Sequence, residues 1–136
     1  MKTDQHKMSR LIADLQDEYD SIAKYQYQMI RVTNPLIKAK LKSLLEIERR
    51  HVELLERLLG MHMEVHVDTE KPLHQEGKGL HELLAQDYED ERQAYLRYRR
   101  QSLETEDGEL RQILEHMAEE ELDHMEMLKE MYRTLP

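Results

Sequence analysis

The two halves of this chain repeat one residue pattern at an offset of 73 positions. The segment AKYQYQ at 23–28 aligns with LRYRRQ at 96–101, and Glu18 aligns with Glu91. A repeat of this length indicates a duplicated supersecondary unit rather than one irregular chain. The sequence therefore favours an architecture made of two similar halves.

Apolar residues recur at helical spacing in four blocks, with period-breaking residues between them. Asn34 and Pro35 end the first block and start the second, and Gly60 is a suitable end for the second. The stretch 61–79 loses the pattern and contains Pro72 and two glycines, so it is interpreted as a long connection. One long link among short ones predicts an all-α, ferritin-like four-helix bundle with one long crossover between helices 2 and 3. The prediction is a single domain, 1–136, with helices at about 4–32, 35–59, 80–103 and 109–133.

Charge and composition narrow the function classes. The net charge is −9, which argues against nucleic-acid binding. Without cysteine the chain has neither disulfides nor thiolate ligands, so any metal must use His, carboxylate or Tyr. There is no apolar run of about 18 residues to span a membrane and no signal-peptide pattern at the start. A cytoplasmic protein is expected.

One glutamate on each predicted helix lies inside an apolar stripe: Glu18, Glu48, Glu91 and Glu121. Each has apolar or aromatic residues about one and two turns away on the same face. On helix 3 the rival is Glu89, but its neighbours at those offsets are mostly polar. Glu91 is therefore preferred to Glu89 as the inward carboxylate.

Two of these glutamates are followed one turn later by a histidine, giving Glu48-x-x-His51 and Glu121-x-x-His124. Such pairs are common individually, but here the two stand at equivalent positions of the repeat. Four carboxylates converging in an apolar interior repel one another and lose hydration, at a cost of several kcal/mol per ion. Two divalent cations would balance their charge. Oxygen and nitrogen donors without sulfur suit iron or manganese better than copper(I), and zinc stays open.

This set of residues, split by a long crossover, resembles the ligand pattern of the ferritin-like di-iron carboxylate superfamily: Glu18, Glu48, His51, Glu91, Glu121 and His124. It is most similar to the rubrerythrin-type helical domain or a bacterioferritin-like subunit, over about residues 8–133. The resemblance implies two iron ions bridged by Glu48 and Glu121. The other two glutamates would be terminal ligands, and each histidine would bind one iron.

Three departures from this family pattern change the expectations. Full rubrerythrins carry a four-cysteine iron domain, whereas this chain has no cysteine, so electrons would come from a separate donor or from iron(II). Rubrerythrins also have a further glutamate one turn after the helix-3 ligand, where this chain has Ala94, which counts against their ligand-switching chemistry. Helix 4 is followed only by a few residues to Pro136, so a storage cage with a fifth helix is less expected.

Four further residues are candidates for supporting the metal ligands. Tyr25 and Tyr98 lie two turns beyond Glu18 and Glu91, and they either donate hydrogen bonds to ligand carboxylates or simply fill the core. Asp14 and Asp87 either hold the free N–H of a ligand histidine from the opposite half of the chain or are solvated acids near a helix rim.

The predicted function is that of a di-iron oxidoreductase in which iron(II) reacts with O2 or peroxide. The alternatives are an iron-binding or storage protein without turnover, and a metal-free structural bundle. Catalytic turnover with peroxide would favour the first, and a large hollow oligomer would favour storage. Pairing through an outer helical face predicts a homo-oligomer, with a dimer as the specific expectation.

Overall fold

The computed structural model describes residues 2–60 and 77–135, and within these two ranges it contains α-helices and no strand. The helices are α1 (Lys2–Arg31), α2 (Pro35–Leu59), α3 (Leu80–Glu104) and α4 (Gly108–Thr134). The predicted all-α class is confirmed, with four helices in the described ranges, and the predicted helix ends lie within about two residues of those observed. The arrangement of the two helix pairs as a ferritin-like bundle stays a prediction. None of the helices in the described ranges combines the length and apolarity that crossing a membrane requires.

Helices α2 and α4 start in the same way. The Oδ1 atom of Asn34 accepts hydrogen bonds from the backbone N–H groups of the second and third residues of α2, at 2.9 and 3.3 Å. The Oδ1 atom of Asp107 does the same for α4, at 3.1 and 3.2 Å. Both side chains satisfy N–H groups that have no partner inside the helix. Asn34 and Asp107 occupy equivalent positions of the two halves, so the repeat includes the caps.

The chain divides into two compact units, Met1–His74 and Gln75–Pro136. In the first unit α1 packs against α2, and in the second α3 packs against α4. Gly60 ends α2 in the left-handed conformation, with φ 63°, as its position in the sequence predicts. The predicted crossover lies between α2 and α3, but its residues 61–76 are outside the described ranges. The single domain over 1–136 stays a prediction.

The two units bury largely the same positions of the repeat. Of the fourteen buried residues within 77–135, twelve have a buried counterpart at the equivalent position of the first unit. Every buried acid and every buried histidine in that range belongs to this matched set. Because burial depends on packing rather than on sequence identity, this agreement supports the duplicated unit that the sequence predicts.

Candidate metal centre

Three buried side chains from α1 and α2 bring metal-binding atoms together, and we name them the N-terminal triad: Glu18, Glu48 and His51. Their exposed fractions are 2%, 1% and 0%. One potential ligand atom from each lies within 4.8 Å of the other two. The Nδ1 atom of His51 is 3.4 Å from a carboxylate oxygen of Glu18 and 3.9 Å from one of Glu48. Glu48 and His51 meet because residues three apart lie on adjacent turns of one helical face.

The second unit contains the corresponding C-terminal triad: Glu91, Glu121 and His124. Their exposed fractions are 2%, 0% and 0%. Potential ligand atoms from the three again lie within 4.8 Å of one another. The Nδ1 atom of His124 is 3.5 Å from a carboxylate oxygen of Glu91 and 3.6 Å from one of Glu121. Each hairpin thus contains two carboxylates and one imidazole in nearly the same arrangement.

The distances between these atoms fit a shared cation better than an ion pair. A charge-assisted N–H···O hydrogen bond is about 2.7–2.9 Å long, whereas the four nitrogen–oxygen distances are 3.4, 3.9, 3.5 and 3.6 Å. Two atoms at such separations can both lie about 2.1 Å from one metal ion, the usual distance for histidine nitrogen and carboxylate oxygen ligands of a divalent metal. The donor atoms therefore stand at a spacing that a metal ion can occupy.

The charge of each triad also matches one divalent cation. With a neutral imidazole, two glutamates leave a triad with a charge of −2, at positions that water barely reaches. Burying unbalanced charge costs several kcal/mol per ion. A divalent cation bound between the three side chains removes this imbalance and replaces the lost hydration. Buried Glu and His groups able to hold a metal ion are thus present in both hairpins.

The structure distinguishes between the two candidate carboxylates of α3. Glu91 is buried, whereas the side chain of Glu89 is 49% exposed. Glu89 pairs with Arg92 at 3.3 Å and accepts a hydrogen bond from Gln93 at 2.9 Å, both on the same helix. The preference for Glu91 as the inward residue is confirmed. Its role as a metal ligand stays a prediction.

Asp14 and Asp87 are buried, with exposed fractions of 0% and 1%. The interpretation of these aspartates as solvated acids at a helix rim is therefore wrong. Each lies four residues before the first glutamate of its triad, so one helical turn separates the two carboxylates. The predicted contact of each aspartate with a ligand histidine stays a prediction.

Tyr25 and Tyr98 are both completely buried. A cationic side chain lies over each ring, because Lys24 Nζ is 4.5 Å from the Tyr25 centroid and the Arg97 guanidinium is 5.3 Å from that of Tyr98. The two pairs again occupy equivalent positions of the repeat. Their burial fits both interpretations, core filling and hydrogen bonding to ligand carboxylates.

Two buried side-chain amides within the described ranges have no role in the sequence analysis. Gln28 and Gln101 have exposed fractions of 1% and 8%, and each lies ten residues after the first glutamate of its triad. The signal that points to them is the repeat itself, since the same amide recurs at the equivalent position of each half. Burying an amide costs more free energy than burying an apolar side chain. A buried amide that recurs at matched positions is therefore a specific polar feature of both hairpins.

Tyr19 and Glu56 form a hydrogen bond between α1 and α2 that the sequence gives no sign of. The Tyr19 hydroxyl donates to a carboxylate oxygen of Glu56 at 3.1 Å. Burial first, and then the hydrogen bond and the negative charge of Glu56, raise the pKa of Tyr19 above its ordinary value of 10.0. The counterparts in the second half of the repeat are Arg92 and Lys129, so this contact is specific to the first hairpin.

Comparisons with protein-family models, with characterised proteins and with solved structures give no match to this chain. The resemblance to the di-iron carboxylate proteins therefore rests on the residues of the two triads and on their spacing.

Proposed function

We propose that the two triads together bind two iron ions and that the protein is a ferritin-like di-iron oxidoreductase, in which iron(II) reacts with peroxide or O2. The observation that carries this proposal is the presence of two buried Glu–Glu–His triads at equivalent positions of a repeated helical hairpin. Duplicated helical pairs that each supply glutamates and a Glu-x-x-His pair are a known way to build a two-metal site.

The charges of the two triads support a pair of cations. Four glutamates carry −4, and two divalent ions carry +4, while the imidazoles are neutral when they act as ligands. A single ion would leave two of the four triad glutamates uncompensated. The proposal therefore uses all six triad side chains and balances the charge of the triads.

The six side chains would divide into three roles. Glu48 and Glu121 would bridge the two ions, and Glu18 and Glu91 would each bind one ion. His51 and His124 would each bind one ion through Nδ1, the nitrogen that faces the carboxylates of its own triad. The oxygen-rich, sulfur-free set suits iron, manganese or zinc, and iron is proposed because it also supplies redox chemistry.

When bound, a pair of iron ions would supply one electron each to the oxidant. The chain's own residues would hold the site and keep bulk water away, since all six ligands are buried. Glutamates can change between bridging and terminal binding as charge changes, which histidines cannot do. Tyr25, Tyr98, Asp14 and Asp87 would orient the ligands by hydrogen bonds, which raises both the precision of the site and the affinity for metal.

The proposal also covers the source of electrons, the oligomeric state and the location of the protein. Because the chain has no cysteine, it carries no thiolate iron centre to pass electrons on. A separate electron donor, or iron(II) itself, would then supply them. We further propose a homodimer and a cytoplasmic location, which analytical ultracentrifugation and cell fractionation test directly.

Metal analysis of protein purified without chelators tests the proposal. The native chain should contain about two metal ions, as a two-metal site requires. Glu121→Ala and Glu91→Ala should both lose metal, because each removes a buried ligand. Glu89→Ala is the matched control, since it removes an exposed glutamate from the same helix as Glu91.

Equal metal content in the native chain and in the Glu91→Ala and Glu121→Ala variants would contradict the proposal. Loss of metal in Glu89→Ala alone would overturn the assignment on α3. If metal is bound but peroxide is consumed no faster than by free iron, the alternative of an iron-binding protein without turnover is supported instead.

A further inference from the structure

The two hairpins differ in how completely they cover their triads. Along α1, the inward stripe around Glu18 is buried at every position, with Leu15 and Ile22 one turn away on either side at 0% and 6% exposed. The equivalent neighbours of Glu91 on α3 are Tyr88 and Tyr95, and both are partly exposed. Two of the positions at which burial departs from the repeat thus lie one turn from a candidate metal ligand.

Helix α4 is likewise less completely buried beside its triad glutamate than its counterpart α2. Val52, one turn after Glu48, is buried at 7% exposed. Its counterpart Met125, one turn after Glu121, is partly exposed. Side chains three or four residues from a given position cover the same part of a helix surface. In the second hairpin, three of the side chains next to the triad glutamates are therefore partly exposed, whereas their counterparts in the first hairpin are buried.

The chemistry of these side chains also differs between the hairpins. Leu15, Ile22 and Val52 offer only hydrocarbon. Tyr88 and Tyr95 each present a hydroxyl group that can donate and accept hydrogen bonds. Polar molecules cross a hydrocarbon wall only by losing their hydrogen bonds to water, at a cost of several kcal/mol, whereas phenol groups replace part of those bonds.

We propose that a small hydrophilic oxidant, hydrogen peroxide, reaches the metal-binding residues through the α3–α4 hairpin, along Tyr88, Tyr95 and Met125, while Leu15, Ile22 and Val52 close the α1–α2 hairpin. This inference rests on the proposed function, because it assumes that the triads hold metal. It narrows the proposed function to one oxidant, hydrogen peroxide. Dioxygen would pass an apolar wall as easily as a phenol-lined one, so the phenol groups would give it no advantage.

The first test needs no metal. The metal-free protein is nitrated with tetranitromethane, and the modified tyrosines are mapped by peptide mass spectrometry. The result shows which tyrosines the reagent reaches. Tyr132, which is 47% exposed, should react fastest. Tyr88 and Tyr95 should react more slowly, and the fully buried Tyr25 and Tyr98 should be protected. Protection of Tyr88 and Tyr95 to the same degree as Tyr25 and Tyr98 would overturn the inference.

The second test measures entry to the loaded site. Azide, a small polar probe, is mixed with iron-loaded protein, and its association rate is followed by absorbance in a stopped-flow instrument. The triple variant Tyr88→Leu, Tyr95→Ile, Met125→Val gives the second hairpin the side chains of the first. Its association rate should be about tenfold lower, which corresponds to about 1.4 kcal/mol of added barrier, with unchanged metal content. Tyr132→Leu, which removes an exposed tyrosine from α4, is the control and should leave the rate unchanged.

These outcomes separate this inference from the proposed function. An unchanged azide rate in a triple variant that still binds metal overturns the entry route and leaves the metal site intact. A native protein that binds no iron overturns both. Faster consumption of dioxygen than of hydrogen peroxide by the iron-loaded native protein also overturns the choice of oxidant.

Discussion

At the scale of single residues, each triad histidine lies close to both carboxylates of its own hairpin. His51 lies between Glu18 and Glu48, and its ring nitrogen is 3.4 and 3.9 Å from their oxygens. Each histidine is on the same helix as one glutamate of its triad and faces the other from the neighbouring helix. A substitution at a histidine would therefore disturb the binding of both carboxylates to a shared ion.

Tyr19 provides a prediction at the same scale. Its pKa is raised in the folded protein, chiefly by burial and then by Glu56. Below pH 10 the phenol keeps its proton in both folded and unfolded chains, so its contribution to stability is fully present. Above pH 10 the unfolded chain releases the proton first, and the contribution is lost as the pH rises through the folded pKa. Tyr19→Phe should therefore lose less stability than the native protein between pH 9 and pH 11.

Urea unfolding at the two pH values measures this difference. The exposed Tyr132→Phe serves as the control and should follow the native protein. If Tyr19→Phe and the native protein lose the same free energy of unfolding, the Tyr19–Glu56 hydrogen bond is not the source of an alkaline effect.

At the scale of helices, each hairpin depends on the cap that starts its second helix. Asn34 and Asp107 each accept two backbone hydrogen bonds at the start of α2 and α4. These helices contribute Glu48 and His51, and Glu121 and His124. A stable helix start fixes the turn between the two helices and, with it, the register that aligns the carboxylates of each pair.

Replacing either cap by alanine should lower the free energy of unfolding by about 1 kcal/mol. Asn34→Gly should cost only a few tenths of a kcal/mol, because exposed backbone at a cap is better hydrated. Ser43→Ala is a suitable control, since Ser43 is exposed within α2 and bonds only to the carbonyl of Ala39, one turn earlier. Denaturant melts of the four variants measure these differences. A cost for Ser43→Ala equal to that for Asn34→Ala would show that the effect is not one of capping.

At the scale of the whole molecule, stability and metal binding are linked through the buried acids. Across the two described ranges, the interior contains six buried carboxyl side chains: Asp14, Glu18, Glu48, Asp87, Glu91 and Glu121. Their repulsion and lost hydration oppose folding when no cation balances them. A ligand that binds only the folded chain stabilises it by about 3–4 kcal/mol at 100 to 1,000 times its dissociation constant. Metal should therefore raise the free energy of unfolding of the native protein.

Glu121→Gln should raise stability in the absence of metal and should reduce the stabilisation that metal gives. In the presence of a chelator, removing one buried charge of nearly the same shape should stabilise the folded chain by about 1–3 kcal/mol. With iron(II) added under anaerobic conditions, the variant should gain less than the native protein, because a ligand is missing. Glu89→Gln should stay within about 0.5 kcal/mol of the native protein in both conditions, since Glu89 is exposed. Calorimetry with and without metal checks the signs. A variant that is less stable under both conditions would indicate a purely structural role for Glu121.

The sequence by itself determined the four helices and their ends, because apolar periodicity and cap residues act within one turn or a few residues. It also determined which glutamate of each helix faces inward. Glu91 was distinguishable from Glu89 because a buried position needs apolar neighbours one turn away in both directions. The constant offset between matched residues then predicted two similar halves, and twelve of the fourteen buried residues within 77–135 do have a buried counterpart in the first unit.

Only the tertiary structure decided how polar side chains from different helices meet. The burial of Asp14 and Asp87, the contact of Tyr19 with Glu56, and the partial exposure of Tyr88 and Tyr95 depend on packing between residues far apart in the chain. Helical periodicity gives the direction of a side chain from its own axis, but it contains no information on how closely a neighbouring helix covers it. For this reason the sequence predicted which glutamates face inward, whereas the structure was needed to show the spacing of their atoms and which neighbouring side chains are partly exposed.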